Sequence, residues 1–169
     1  MRINSTRFGE IDVKEAAFIV MKGSILGFEH LKRFVLLVND ENTPLWWLQC
    51  VDDPSVAFVV VNSRLVKPDY DPAIFESELE FLDIKNSKDI ALLSIVTIRS
   101  HPFRVTANLR APILINAENR MAGQVVLEDS DYPIQYDLLD NEANVNRDLS
   151  DESRGAGILS KLSLPVGTV

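Results

Sequence analysis

The sequence has very few of the residues on which most catalytic and metal sites depend. It contains a single cysteine, Cys50, and two histidines, His30 and His101. One cysteine cannot form an internal disulfide, and a zinc site needs about four nitrogen or sulfur ligands at close spacing. Glycine-rich phosphate loops are also missing, because Gly23 and Gly27 match neither a Walker nor a dinucleotide fingerprint. We therefore predict no catalytic residue, no metal and no cofactor.

Positive charge and long apolar runs are also scarce. The chain has 17 Lys and Arg residues against 25 Asp and Glu residues, which gives a formal net charge of −8. Nucleic-acid-binding proteins usually carry a basic stripe that neutralises phosphates, and no such stripe is present. No apolar run approaches the roughly 20 residues that span a bilayer, and the N-terminus has no signal-peptide pattern. We expect a cytoplasmic protein without direct nucleic-acid or membrane contact, whose acidic field favours encounter with a basic protein.

Short runs of β-branched and aromatic residues dominate the first 140 residues. Clusters of Gly, Pro, Asn and Asp separate them, as is typical of antiparallel β-proteins. The predicted strands span residues 18–21, 34–38, 45–50, 56–62, 90–99, 103–108, 113–116 and 124–128. They follow one another too closely for crossover helices, so hairpins should connect them. The sequence predicts a mainly β fold over residues 1–140: an antiparallel, partly closed, β-barrel-like domain.

One helix is predicted to cover this barrel. Asp71 is a suitable N-cap, Pro72 fits the first helical position, and three apolar residues follow at helical spacing: Phe75, Leu79 and Leu82. A second, shorter helical turn is predicted over residues 29–33.

Residues 141–169 differ in character from the rest of the chain. The stretch 141–153 is polar with almost no apolar residues, which predicts a linker rather than part of a core. A short leucine-containing segment follows it. We expect a polar C-terminal tail whose leucines form either a docking helix or a frayed, flexible terminus.

Cys50 is the candidate nucleophile if the protein is an enzyme, paired with His101 as the base. The favoured interpretation is that Cys50 packs as a small hydrophobe beside Trp47. The closest acidic pairs lie in predicted turns, where Asp bonds its own backbone, and they are Asp52 with Asp53 and Asp129 with Asp131. The sequence therefore favours a binding module over an enzyme. A small β-barrel ligand-binding protein remains the alternative.

Eight short motifs are spread over the first 140 residues. They are RFGEI (7–11), GSILGF (23–28), PLWWLQ (44–49), DPSVAF (53–58), PDY (68–70), IVTI (95–98), TANLRAPILIN (106–116) and GQVVL (123–127). Taken together and in this order, they resemble the FliW family of flagellar assembly factors, and the run NLRAPI at 108–113 is the most specific. Two features depart from the family pattern. Cys50 stands where a serine is usual, and the tail after Asp140 has no counterpart.

The resemblance implies a function that composition alone does not supply. Proteins of this family are small, cytosolic and non-enzymatic, with a β-barrel-like fold. They bind the RNA-binding translational repressor CsrA and prevent it from silencing flagellin mRNA. They also bind flagellin itself, so that free flagellin releases CsrA to repress. On this resemblance we expect a CsrA-type repressor and flagellin as partners.

The segment 106–116 contains the strongest candidates for partner contact. A polar step closed by a proline interrupts an otherwise apolar strand, and turn chemistry explains its Asn and Pro. It does not explain Arg110, whose planar donors are common at binding hot spots. We therefore predict an exposed Arg110 in a segment that is both corner and contact. The predicted partner-binding residues are Asn108, Leu109, Arg110 and Pro112, together with Asp69 and Tyr70, where the tyrosine is either part of a capping turn or an exposed anchor.

The adjacent tryptophans Trp46 and Trp47 lie on one predicted strand, so their side chains should point to opposite faces. One is expected in the core. The other is expected under the helix, with a protein interface as the alternative.

Overall fold

The computed structural model describes residues 1–40, 42–140 and 162–165. In these residues the strands are β1 (Arg2–Ser5), β2 (Gly9–Asp12), β3 (Ile19–Met21), β4 (Arg33–Val38), β5 (Leu45–Cys50), β6 (Ala57–Asn62), β7 (Ile90–Ser100), β8 (Phe103–Ala107), β9 (Ile113–Asn116), β10 (Met121–Gln124), β11 (Tyr136–Asp137) and β12 (Ser163–Pro165). The α-helices are α1 (Ser63–Val66) and α2 (Glu76–Phe81), and 3₁₀ turns span Glu15–Ala17 and Ser87–Asp89.

Seven strands form a closed barrel in the order β7-β6-β5-β4-β3-β10-β9, and β9 pairs back to β7. The neighbours pair antiparallel except at the β3–β10 seam, where Val20 lies opposite Met121 in a parallel pair. β8 and β11 extend the sheet from the second half of β7, and β1–β2 is a separate hairpin. The predicted mainly β, barrel-like fold is confirmed, and its seven strands form a closed ring.

A glycine lies on each side of the seam, Gly23 and Gly123. A Cβ on Gly23 would lie 3.0 Å from the Cα atom of Gly123, closer than such atoms normally approach. The N–H groups of Lys22 and Gly23 both donate to the carbonyl of Ala122, at 2.9 and 3.1 Å. Two backbones therefore pass here without intervening side chains.

Alternating side chains give the sheet two apolar faces. Phe34 and Leu36 on β4 point into the main core, whose buried members include residues of every barrel strand. Val35 and Leu37, which alternate with them along β4, pack with Ile3 and other residues of the N-terminal hairpin. A third cluster lies outside the barrel under the segments around α1, α2 and 125–138. Successive side chains point to opposite faces of the sheet, and both faces are buried. The strands therefore contain nearly continuous apolar runs.

Most predicted strands appear within one residue of their predicted ends, and 45–50 and 113–116 match in full. The strand predicted over 124–128 is wrong in position, since β10 spans Met121–Gln124. The N-terminal hairpin was not predicted, because each of its strands contains one apolar residue, Ile3 or Ile11.

The predicted helix is shorter than expected and begins later. α2 starts at Glu76 with Phe75 as its N-cap, and the carboxylate of Glu78 accepts the Phe75 N–H at 2.9 Å. Asp71 is not the cap, because it lies five residues before the helix in a segment without regular secondary structure, where its N–H donates to the Tyr132 hydroxyl at 3.1 Å. Residues 29–33 contain only a turn at 29–30 rather than a helical turn. No helix within the described ranges is long and apolar enough to cross a membrane.

The two tryptophans point to opposite faces as predicted. Trp46 packs against the main core. The ring of Trp47 lies 5.7 Å from that of Phe8 in an edge-to-face pair, and the Arg7 guanidinium stacks 4.2 Å from its centroid. The cover over Trp47 is therefore the β1–β2 hairpin, not the helix.

Where the structure describes the C-terminal leucine segment, it is helical at Leu162 and continues as the strand β12 rather than as a frayed end. β12 pairs parallel with β4, and Leu162 just before it is 1% exposed in the main core. The predicted linker at 141–153 and the rest of the tail lie outside the described residues.

Candidate functional site

The predicted corner is a hydrogen-bonded turn organised by Asn108. Its side-chain oxygen Oδ1 accepts from the N–H groups of Arg110 at 3.0 Å and Ala111 at 3.1 Å. Its own N–H donates to the carbonyl of Ile95 on β7 at 2.9 Å. This arrangement is the turn chemistry for which Asn is suited, because its short amide copies a backbone acceptor. The predicted corner is thus confirmed, and Asn108 organises it.

Four successive carbonyls of the corner are each bound by a different residue. The donor–acceptor pairs are Tyr70 hydroxyl to Leu109 at 2.7 Å, Leu127 N–H to Arg110 at 2.9 Å, Gln124 Nε2 to Ala111 at 3.0 Å and Val125 N–H to Pro112 at 2.9 Å. The corner therefore connects the segment before α2, strand β10 and the chain that follows it. Its sequence is constrained by this role before any partner is considered.

Arg110 is half-buried rather than fully exposed. Its Nη2 donates to the carbonyl of Ser130 at 2.6 Å, while its Nε is buried without a hydrogen-bond partner. Leu109 is 0% exposed, and Pro112 is also buried. The guanidinium thus fixes the loop around Ser130. The surface of the corner that a partner can reach consists of parts of Asn108 and Arg110, and their contact role remains a prediction.

Tyr70 is buried and does not form an exposed anchor. It is 2% exposed, its ring packs 4.6 Å from that of Tyr132, and its hydroxyl is bound to the corner. Burial raises the pKa of the Tyr70 phenol above its ordinary value. Asp69 beside it is exposed, and Lys67 Nζ donates to its carboxylate at 2.6 Å, which lowers the pKa of Asp69. Of these two predicted partner residues, only Asp69 is accessible.

An apolar groove, which we call the corner groove, lies beside Asn108. It has a volume of about 280 Å³. Leu26 and Ile134, which are 62% and 58% exposed, lie along it. Gln124 holds one side, because its Oε1 accepts the Leu26 N–H at 2.9 Å. The other lining residues are Ile25, Phe58, Ile95, Thr97, Arg99, Ala111 and Gln135.

A second groove of about 280 Å³, which we call the acidic groove, has different lining. It is formed by Ala73, Phe75, Val126, Leu127, Glu128, Asp129 and Ser130. Phe75 is 69% exposed and Val126 is 43% exposed, so two apolar side chains lie next to two carboxylates. α2 begins beside Phe75 and adds Glu76 and Glu80 to the exposed surface. We did not single out this surface from the sequence, although the glutamates of the helix and the run EDSD at 128–131 were visible there.

Comparison with known proteins agrees with this fold and these motifs. The model of the FliW protein family matches residues 2–138. The chain belongs to the FliW family. The flagellar assembly factor FliW of Syntrophus aciditrophicus is 50% identical over 141 residues, covering 83% of this chain and 89% of that protein. The corresponding protein of Geobacter sulfurreducens is 41% identical over 143 residues, covering 85% and 89%. A crystal structure of the flagellar assembly factor FliW superposes with a TM-score of 0.75 at 33% identity, over 82% of this chain and 96% of that one.

In this FliW-family chain, Cys50 has the environment of a packing residue. It is 0% exposed, its Sγ accepts the Asp53 N–H at 3.3 Å, and burial raises its pKa. A raised pKa keeps the thiol protonated, whereas a nucleophile needs the thiolate. His101 lies in the β7–β8 turn, where its Nδ1 is 3.0 Å from the Ser100 hydroxyl. Among the described residues no three His, Cys, Asp or Glu side chains are placed to hold a metal ion.

Proposed function

We propose that this FliW-family protein is a non-enzymatic flagellar assembly factor that binds a CsrA-type translational repressor and flagellin. Binding of the repressor relieves its hold on flagellin mRNA, and binding of flagellin releases the repressor. The relatives named above are flagellar assembly factors. The observation that carries the choice of the repressor surface is the acidic groove, where exposed apolar side chains are rimmed by carboxylates.

The acidic groove suits a basic RNA-binding protein for two physical reasons. Exposed carboxylates at Glu128 and Asp129 and along α2 complement a basic surface, which accelerates encounter and disfavours wrong partners. Phe75 offers a large exposed aromatic ring, and aromatic residues dominate binding energy when a partner buries them. Charge therefore directs the encounter, and Phe75 with Val126 supplies the apolar contact.

For flagellin we propose the corner groove. Leu26 and Ile134 present apolar surface there, while Arg99 and Asn108 offer polar groups at the same site. The two grooves share no lining residue. One protein can thus hold two partners on different surfaces. Release of the repressor by flagellin would then act through the corner between the two grooves, where the Leu127 N–H donates to the Arg110 carbonyl.

The ligand-binding barrel has less support. The barrel interior is occupied by apolar side chains of the main core, most of them 0–4% exposed, including Phe34, Leu48 and Ile113. Both grooves described above lie on the surface instead.

The repressor surface is tested by a gel shift with the repressor bound to a flagellin leader RNA. The parent protein should release the RNA without binding it. Phe75→Ala should lower the affinity for the repressor by roughly 10- to 100-fold. That loss corresponds to about 1.4 to 2.8 kcal/mol, as expected for removal of a hot-spot aromatic side chain. Phe103→Ala is the matched control, since Phe103 is 62% exposed on the β7–β8 hairpin outside both grooves. Equal binding by the two variants would refute the acidic groove as the repressor site.

Flagellin is tested with the reciprocal variant. Ile134→Asp places a charge in the corner groove. It should lower the affinity for flagellin at least tenfold and leave the affinity for the repressor unchanged. Phe75→Ala should do the reverse. If either variant weakens both partners equally while its melting temperature is unchanged, the assignment of separate surfaces is wrong. The repressor association rate should also fall as salt rises, because exposed charges are screened over about 8 to 10 Å.

A further inference from the structure

The barrel has a short gap between β3 and the second half of β4. β3 pairs with β4 only at Ile19–Phe34 and Val20–Arg33. Beyond that point β12 takes its place, with Ser163 opposite Leu36 and Pro165 opposite Val38 in a parallel register. The C-terminal segment thus fills a position in the sheet that the barrel strands leave open.

The edge of β4 at this gap presents backbone groups ready for pairing. The carbonyl of Lys32 accepts the Met21 N–H on the β3 side, whereas that of Arg33 accepts the Val51 N–H on the β5 side. Backbone groups alternate between the two edges of a strand. The N–H and C=O groups of Leu36 and Val38 therefore face the gap, and β12 is what covers them.

Two contacts anchor the segment that enters the gap. The side chain of Leu162 is 1% exposed and belongs to the main core. Arg120 Nη1 donates to the Leu162 carbonyl at 3.2 Å and to the Ala17 carbonyl at 3.3 Å. The gap therefore provides an apolar seat, a guanidinium that fixes the backbone and a strand edge.

We propose that this gap is an acceptor site for an extended peptide, which the chain's own C-terminal segment occupies in an exchangeable way. The match to the family model covers residues 2–138, which include β4. The segment that pairs with β4, Ser163–Pro165, lies beyond that match. The seated segment defines the ligand chemistry. One aliphatic side chain, that of the helical residue Leu162, fills the seat, and the three uncharged residues after it are extended and add a parallel strand to β4.

Addition of a strand to an open sheet edge is a general mode of peptide recognition, in which main-chain bonds give affinity and a side-chain pocket gives selectivity. A strand of three residues is a small pairing, which makes exchange practicable. The tail is joined to the barrel by the residues between Asp140 and Leu162. Such a tether gives a local concentration of about a millimolar, so a second polypeptide must compete with the tail. The site is independent of both grooves proposed above.

The test uses a fluorescein-labelled peptide with the sequence of residues 158–169 and the full-length protein. Binding is measured by fluorescence anisotropy to the parent, to Leu162→Asp and to the control Leu139→Ala, whose side chain is exposed. Leu162→Asp expels its own tail and should bind the peptide about tenfold more tightly than the parent, because the competing segment is gone. The control should bind like the parent, and a peptide carrying the same Leu-to-Asp change should not bind.

Hydrogen exchange of the Leu36 amide gives a second, independent readout. We expect it to be protected in the parent, exposed in Leu162→Asp and protected again when the peptide is added. A folded Leu162→Asp variant with an exposed Leu36 amide and no peptide binding would overturn the proposal. So would equal Leu36 exchange in parent and variant.

Should Leu162→Asp fail to fold, a cleavage site inserted between Asp140 and Leu162 keeps the proposal testable without altering the anchor. After cutting, the tail fragment should be displaced by excess labelled peptide and elute separately on gel filtration. A fragment that stays bound while no labelled peptide enters would show that the segment is a fixed part of the barrel, which contradicts exchange.

Discussion

Replacing Tyr70 with phenylalanine probes the link between the corner and the segment that precedes α2. The substitution removes one oxygen and keeps the ring, so the 4.6 Å packing against Tyr132 is preserved. It deletes the hydrogen bond to the Leu109 carbonyl at 2.7 Å. Leu109 is 0% exposed, so water cannot easily replace the lost donor.

The magnitude follows from that burial. A buried carbonyl left without its partner costs about 1 to 3 kcal/mol, and we expect about 1.5 kcal/mol for this neutral pair. For a chain of this size, 1 kcal/mol lowers the melting temperature by roughly 2 to 4 °C, so Tyr70→Phe should melt about 3 to 6 °C below the parent. Urea unfolding should show the same loss with an unchanged m-value.

Tyr132→Phe is the matched control. Its hydroxyl accepts the N–H of Asp71, which is exposed, so water can substitute and the change should stay below about 0.5 kcal/mol. The pH dependence adds a second test. Burial raises the pKa of Tyr70, so this phenol stays neutral in the folded chain, while in the unfolded chain it ionises near pH 10.

The sign of the linkage is therefore fixed. The contribution of Tyr70 to the free energy of unfolding is fully present below pH 10. Above pH 10 the free energy of unfolding of the parent falls by about 1.4 kcal/mol per pH unit through this residue. Tyr70→Phe lacks this loss, so its deficit relative to the parent should shrink between pH 9 and pH 11. Equal stability of Tyr70→Phe and the parent at pH 7, or a deficit independent of pH, would refute the assigned role of the hydroxyl.

Two further predictions concern the corner loop and the barrel seam. Arg110→Ala should lower the free energy of unfolding by about 1 to 2 kcal/mol in urea titrations, because it removes a charged donor 2.6 Å from the Ser130 carbonyl; unchanged stability would mean that the side chain is not held there in solution. Gly23→Ala should cost about 1 to 3 kcal/mol, because the new Cβ would lie 3.0 Å from the Gly123 Cα. Ser24→Ala is the control, since the half-buried Ser24 loses only an exposed hydrogen bond from Lys32, and equal melting temperatures for the two variants would contradict the close approach.

The barrel was predictable from the sequence because its signal is local. β5 and β9 are bounded by turn residues and rich in apolar residues that fill both faces, so their ends could be placed. The predicted strand 124–128 failed for a reason that is not local. Val125 and Leu127 do donate to the carbonyls of Pro112 and Arg110, as a strand would. The return bonds are missing, because Pro112 has no N–H and the Arg110 N–H is bound by Asn108.

The candidate site was less predictable than the fold. The Asn108–Arg110 corner could be recognised as unusual, but sequence did not reveal that Tyr70, 39 residues away, binds the Leu109 carbonyl. The prediction of an exposed Arg110 was wrong because the loop that accepts its hydrogen bond lies 20 residues later. The acidic groove joins Phe75 with residues 126–130, and only the folded chain brings these segments together.

The seam between β3 and β10 sets the order in which the chain can mature on the ribosome. It joins Val20 to Met121, about 100 residues apart, and β9 must also reach β7 before the cylinder is complete. At about 5 to 20 residues per second, the translated β3 edge waits roughly 5 to 20 seconds for its partner. During that interval the β3–β6 meander exposes its inner apolar face and an unpaired edge. The nascent chain is therefore most vulnerable to aggregation in the middle of its synthesis, and a pause placed just before residue 121 would prolong that state.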